Sequence, residues 1–122
     1  MYAGWLIGSY GDPDASAELY DPAVGTFTPT GSMTVARADH TATLVGTGMV
    51  LITGGEDMVV LRDSPPSAEL YDPTAGTFAA TGSMTVARQY YTATSLPNGQ
   101  ALIAGGTDIV TAEPLASAEL YQ

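Results

Sequence analysis

The chain has 122 residues, 45% of them apolar and 13% charged, the composition of a packed globular domain and not of a disordered segment. Thirteen acids against three arginines and no lysine give a formal charge of -10, so nucleic acid and anionic membrane surfaces would be repelled at long range and neither is an expected partner. The absence of cysteine excludes disulfides, thiolate nucleophiles and cysteine-ligated zinc, and no apolar run approaches the ~20 residues of a membrane-spanning helix.

In chain order, the opening MYAGWLIGSYG lacks the basic and apolar regions of a secretory leader, so no signal peptide is expected in this chain. Trp5–Ser9 has strand character, and the connection Tyr10–Ala15 leads to the phrase SAELYDP, Ser16–Pro22. There Ala17 and Leu19 alternate with Ser16, Glu18 and Tyr20, the period of a strand, while Asp21, Pro22 and Gly25 supply a hairpin turn. Phe27 marks the next strand, and TGSMTVAR, Thr30–Arg37, connects it to a strand over Asp39–Val45 and a short apolar one over Met49–Thr53 that ends on Gly54 and Gly55.

After the connection Glu56–Pro66 the pattern returns, with strands over Ser67–Tyr71 and Thr77–Ala80, the latter around Phe78. Beyond Arg88, Tyr90 takes the place of Asp39; Pro97, Asn98 and Gly99 make a hairpin turn, and the following strand ends on Gly105 and Gly106. The connection Thr107–Ala116 then leads to SAELYQ, Ser117–Gln122. No stretch keeps apolar residues at helical spacing, so the expected class is all-β.

The return is a repeat. Shifted by 51 positions, Ser16–Arg37 falls on Ser67–Arg88 with only four of 22 positions changed, and Leu51–Gly55 falls on Leu102–Gly106. Four short antiparallel strands in about fifty residues cannot bury both faces of their sheet alone, which is the situation of a propeller blade.

An arginine before the first strand, a double glycine after the second, Glu-Leu-Tyr-Asp-Pro in the third and its turn, and an aromatic in the fourth together resemble the kelch repeat. In this chain these are Arg37, Gly54 and Gly55, Glu69–Pro73 and Phe78, then Arg88, Gly105 and Gly106, and Glu119–Tyr121; Phe27 and Phe78 stand where such repeats usually carry tryptophan. The resemblance implies four-stranded antiparallel kelch-type propeller blades. Residues 1–30 would hold the last three strands of one blade, 31–80 a complete blade, and 81–122 the first three strands of another, about 2.5 blades of an incomplete propeller. Missing strands leave unpaired edges and open faces, so further propeller blades or a homo-oligomer are the expected partners. The resemblance also favours a secreted or cell-surface location.

Candidate residues divide by whether the repeat copies them. Arg37 and Arg88 either resemble the arginines that in some kelch proteins point into the channel mouth, where they would hold a partner's carboxylate, or pair with the glutamates of the SAEL strands and cap loop carbonyls; the second reading is preferred because basic and acidic positions recur together. Glu18, Glu69 and Glu119 belong to separate blades and cannot meet on one substrate, so they read as structural positions with the double glycines. His40 stands alone as a histidine, no DxDxDG loop is present for calcium, and the copper-and-tyrosine chemistry found in galactose-oxidase-like members of the kelch family needs residues this chain lacks. No catalytic residue, metal or cofactor is therefore expected. The uncopied connections carry Glu56, Asp57, Met58, Leu61, Arg62, Asp63, Asp108, Ile109 and Glu113, candidate contacts for a protein or glycan ligand. The expected function is a non-catalytic binding or scaffold module, not an enzyme, with a fragment of a larger secreted propeller enzyme or a self-assembling structural protein as alternatives.

Overall fold

A computed structural model describes residues 14–55 and 66–122. These residues are all-β, in short antiparallel sheets. The strands are β1 (Glu18–Asp21), β2 (Thr26–Pro29), β3 (Thr41–Leu44), β4 (Val50–Thr53), β5 (Ala68–Asp72), β6 (Thr77–Thr81), β7 (Arg88–Gln89), β8 (Thr92–Ser95), β9 (Ala101–Ala104), β10 (Thr107–Asp108) and β11 (Ala118–Tyr121). The central sheet runs β3-β4-β5-β6, a complete four-stranded blade; β1-β2 and β8-β9-β11 are parts of the blades on either side. The architecture is an incomplete propeller-like fold. Trp5–Ser9 lies outside the described residues.

Turn chemistry sets the registers. In β1-β2 and β5-β6 the turn aspartate accepts from the backbone two residues on, Ala23 N–H to Asp21 and Thr74 N–H to Asp72, both at 2.8 Å, and the glycine N–H returns to the aspartate carbonyl at 2.8 Å. Gly25 and Gly76 sit at φ 70° and 68°, a conformation that costs glycine least. Both hairpins then place tyrosine opposite phenylalanine, Tyr20 against Phe27 and Tyr71 against Phe78, with ring centroids 5.0 and 4.8 Å apart. Such tilted pairs stabilise a sheet beyond the area they bury.

One expectation is revised. Thr107–Ala116 reads as an irregular connection, but β10 pairs with β7, Thr107 against Gln89 and Asp108 against Arg88, and Thr107 also bridges Pro114. A strand of two residues is too short to leave a periodic signal.

Side-chain alternation gives each blade two faces. In the central blade Ile52, Glu69 and Tyr71 share one face, and Leu51, Thr53, Ala68 and Leu70 share the other. The first face meets the β1-β2 side, where Tyr71 and Thr30 share a hydrogen bond of 2.8 Å; the second meets the β8-β9-β11 blade, where Val45, Leu51 and Ala68 cluster with Ala101. Leu51 and Ile52 are fully buried, so the core is the stack of blade upon blade. Gly46 and Gly99 allow the hairpin ends of two blades to touch, with Gly46 N–H donating to Gly99 O at 2.9 Å; a Cβ on Gly46 would stand 2.7 Å from the Gly99 Cα.

Candidate functional site

TGSMTVAR forms the crossover into the second and third blades, and its arginine organises the place where crossover, double glycine and third strand converge. Arg37 is buried. Its Nε and Nη2 donate to Glu69 Oε2 at 3.2 and 3.1 Å, Nη1 to the carbonyls of Gly54 and Ser67 at 2.8 and 3.1 Å, and Nη2 also to Ser67 Oγ at 2.9 Å. Glu69 in turn accepts from the backbone N–H of Thr34 at 2.6 Å and of Val35 at 3.4 Å. One carboxylate thus holds both the crossover backbone and the crossover arginine. Burial disfavours the charged Glu69 carboxylate, but the Thr34 hydrogen bonds and the Arg37 guanidinium outweigh it and hold its pKa below the usual range.

The third blade repeats the arrangement more loosely. Arg88 donates through Nη1 to Gly105 O and Ser117 O at 2.8 and 3.0 Å, and through Nη2 to Ser117 Oγ and Glu119 Oε2 at 3.0 and 3.1 Å. Glu119 accepts from Thr85 N–H at 2.6 Å, and its pKa is lowered by the same balance, burial raising it and the Thr85 and Arg88 contacts prevailing. Arg88 Nε has no partner among the described residues, and Glu119 is 18% exposed where Glu69 is 1%. Both guanidinium groups are turned into the protein, away from any ligand that could approach from solvent.

The double glycines make this convergence possible. Gly54 and Gly55 sit at φ 62° and 87°, and a Cβ on Gly54 would collide with the Tyr91 hydroxyl. That hydroxyl reaches from the third blade to donate to Thr53 O and to contact Thr53 Oγ1 at 2.9 Å. Burial pushes the Tyr91 pKa up, keeping the phenol protonated as a donor.

Beside the clamps, the starts of the inner strands carry a feature that periodicity does not reveal. Asp39 and Tyr90, at the same repeat position, adopt left-handed backbone at φ 57° and 54°, with their side chains exposed. Aspartate tolerates this region, but tyrosine rarely occupies it, and such outliers concentrate at functional sites. The Asp39 of the first copy was the available signal. His40 follows it, half-buried, its pKa lowered first by burial and then by the charge of Arg37.

Of the candidate loop residues, Glu56, Asp57, Met58, Leu61, Arg62 and Asp63 lie outside the described residues. Asp108 is engaged in its own loop, its Oδ1 accepting from Val110 and Thr111 N–H at 2.8 and 3.1 Å. Ile109 N–H bonds Ala87 O at 3.2 Å, tying this loop to the crossover, while Glu113 is exposed and Val110 stands at the tip, 68% exposed. Glu18 is half-buried on β1.

No family model matches the chain, and no curated protein matches it. Among solved structures, the fold is similar to that of a fungal alcohol oxidase of the AA5 family, determined in complex with copper, with a TM-score of 0.63 and 23% identity over 84% of this chain. The chain spans 23% of that structure's length. The expectation that the chain is not an enzyme is corrected by this finding, because the architecture it shares is that of an enzyme. A propeller can place its chemistry on other blades, so the residues of this stretch do not by themselves decide catalysis.

Proposed function

We propose that this chain is part of a larger kelch-type propeller enzyme of the oxidase kind, supplying consecutive blades to its scaffold. The observation that supports this reading is the match of 84% of the chain to about a quarter (23%) of an alcohol oxidase. The residues present do not fit a copper centre. His40 is the single histidine, cysteine is absent, and among the described residues no group of three or more His, Cys, Asp or Glu side chains converges. No step through a metal is therefore assigned to these blades.

Their contribution is positional. The arginine–glutamate clamps fix the crossovers that lead into the inner strands, and so fix where Asp39 and Tyr90 present their side chains. The test is to express the open reading frame that contains this sequence and to assay peroxide release from primary alcohols under oxygen, with and without added copper(II). Activity from the longer polypeptide supports the reading. A reading frame containing no further blades, together with no oxidase activity, overturns it.

A second reading concerns the loop Thr107–Pro114. Val110 projects from a loop made rigid by Asp108, which favours docking of a protein or glycan ligand there. Val110→Asp abolishing such binding without lowering the melting temperature is the expected result.

A further inference from the structure

The chain's single asparagine, Asn98, precedes Gly99 in the hairpin turn between β8 and β9, and the turn presents it to solvent. Its exposure is a property of the turn, since Thr47, at the same repeat position in the central blade with a blade on either side, is exposed as well. Asparagine is thermolabile, most of all before glycine, because a residue without a Cβ leaves its backbone nitrogen open to the asparagine's own side-chain carbon.

Around this pair the hairpin places groups suited to that reaction. Asn98 Oδ1 accepts from the backbone N–H of Gln100 at 3.1 Å, which draws electrons from Cγ and is aimed at the oxygen on which negative charge develops during attack. Asn98 Nδ2, the leaving nitrogen, donates to Gln100 Oε1 at 2.5 Å. One contact opposes the reaction: the Gly99 N–H donates to Leu96 O at 2.9 Å and must be released first. That bond closes an exposed turn, the class of contact that opens most often in a native protein. The equivalent turn of the central blade has Thr47 and Met49 in place of Asn98 and Gln100, and so has none of these groups.

We propose that Asn98 is a site of spontaneous covalent modification, at which the Gly99 nitrogen attacks Asn98 Cγ, expels ammonia and closes a succinimide that water opens to aspartate or isoaspartate. The bond formed from Gly99 N to Cγ replaces the bond from Cγ to Nδ2, the Gly99 amide proton leaves with the ammonia, and water is the only co-reactant. The consequence falls on the joint between blades. Gly99 packs against Gly46 so closely that a Cβ on it would stand 2.8 Å from the Gly46 Cα, and its carbonyl accepts from Gly46 N–H at 2.9 Å. Isoaspartate puts one more backbone atom just before Gly99 and displaces it from this contact, so ageing at Asn98 loosens the third blade from the second. The inference stands apart from the enzyme reading, since it needs only this hairpin and its neighbour.

The experiment incubates the folded polypeptide that carries this sequence in mildly alkaline buffer, beside a synthetic peptide spanning Ser95 to Leu102. Peptide mapping follows the amide-to-acid mass gain and the isoaspartate fraction at Asn98. Conversion in the fold within about tenfold of the peptide's rate is expected, because an exposed turn opens at little cost. Gln100→Ala should slow conversion in the fold about three- to tenfold, the value of one hydrogen bond, and leave the peptide's rate unchanged. Asn98→Thr, which copies the central blade, should stop conversion and keep the melting temperature. In the converted protein, hydrogen exchange at the Gly46 N–H should be faster than in fresh protein. A fold that leaves Asn98 intact while the peptide converts overturns the proposal. Gln100→Ala without effect in the fold, or conversion that leaves Gly46 exchange unchanged, overturns it as well.

Discussion

At Arg37 a single side chain satisfies a buried carboxylate, two carbonyls and a serine hydroxyl. Arg37→Ala therefore leaves Glu69 charged and buried without its counterion, a change that typically costs about 3–5 kcal/mol. Urea denaturation should report a loss of that order, and a smaller one for Arg88→Ala, because Glu119 retains access to water. Gly54 offers a second test at this scale. Gly54→Ala imposes positive φ on alanine and drives its Cβ into the Tyr91 ring and hydroxyl, so a loss of about 1–3 kcal/mol is expected. Tyr91→Phe removes the nearest atom, and the double variant should therefore lose less than the sum of the two single variants.

Between elements, two kinds of link repeat. The first is a tyrosine hydroxyl bonded to a threonine of the preceding blade, Tyr71 to Thr30 at 2.8 Å and Tyr121 to Thr81 at 2.7 Å. Tyr71→Phe and Tyr121→Phe should each cost about 1 kcal/mol in urea melts. Tyr20→Phe should cost almost nothing, since Tyr20 is half exposed and has no such bond among the described residues. The second link is the glutamate clamp, which makes stability depend on pH. Glu69 and Glu119 have lowered pKa values in the fold, so their contribution is complete above the unfolded value of about 4.3 and is lost as pH falls through the folded values below it. His40 is also lowered, so its contribution is present above about pH 6.5 and is lost on acidification below it. The melting temperature should therefore begin to fall below pH 6.5 and fall more steeply below pH 4.3. His40→Gln should remove the first limb, and Glu69→Gln should shallow the second.

For the whole molecule, blades stacked in a row gain stability from their neighbours, so the blade covered on both sides should open least. Hydrogen exchange should be slowest in β4 and β5, where Leu51, Ile52 and Tyr71 are buried, and fastest in β1, β2 and β11, whose large side chains are exposed. Equal protection across all strands would contradict this ordering.

Strand identity, turn positions and the blade unit were legible in the sequence because they depend on local chemistry: alternation in SAELY, the turn residues of DPxxG, and a period of 51 that copies both. Asp39 and Tyr90 in left-handed backbone, Tyr91 reaching across to Thr53, and the pairing of β7 with β10 were not legible. Each is imposed by a neighbouring blade or by the crossover and leaves no pattern along the chain. The larger propeller enzyme that the repeat's resemblance offered as an alternative agrees with the likeness to an oxidase fold, a likeness that lies in how blades are arranged in space. By itself the sequence determined an all-β repeat with two-faced sheets. Only the tertiary structure decided that the Glu69 and Glu119 carboxylates also hold the crossover backbone, and which faces are buried, because burial belongs to the packing of one blade upon the next.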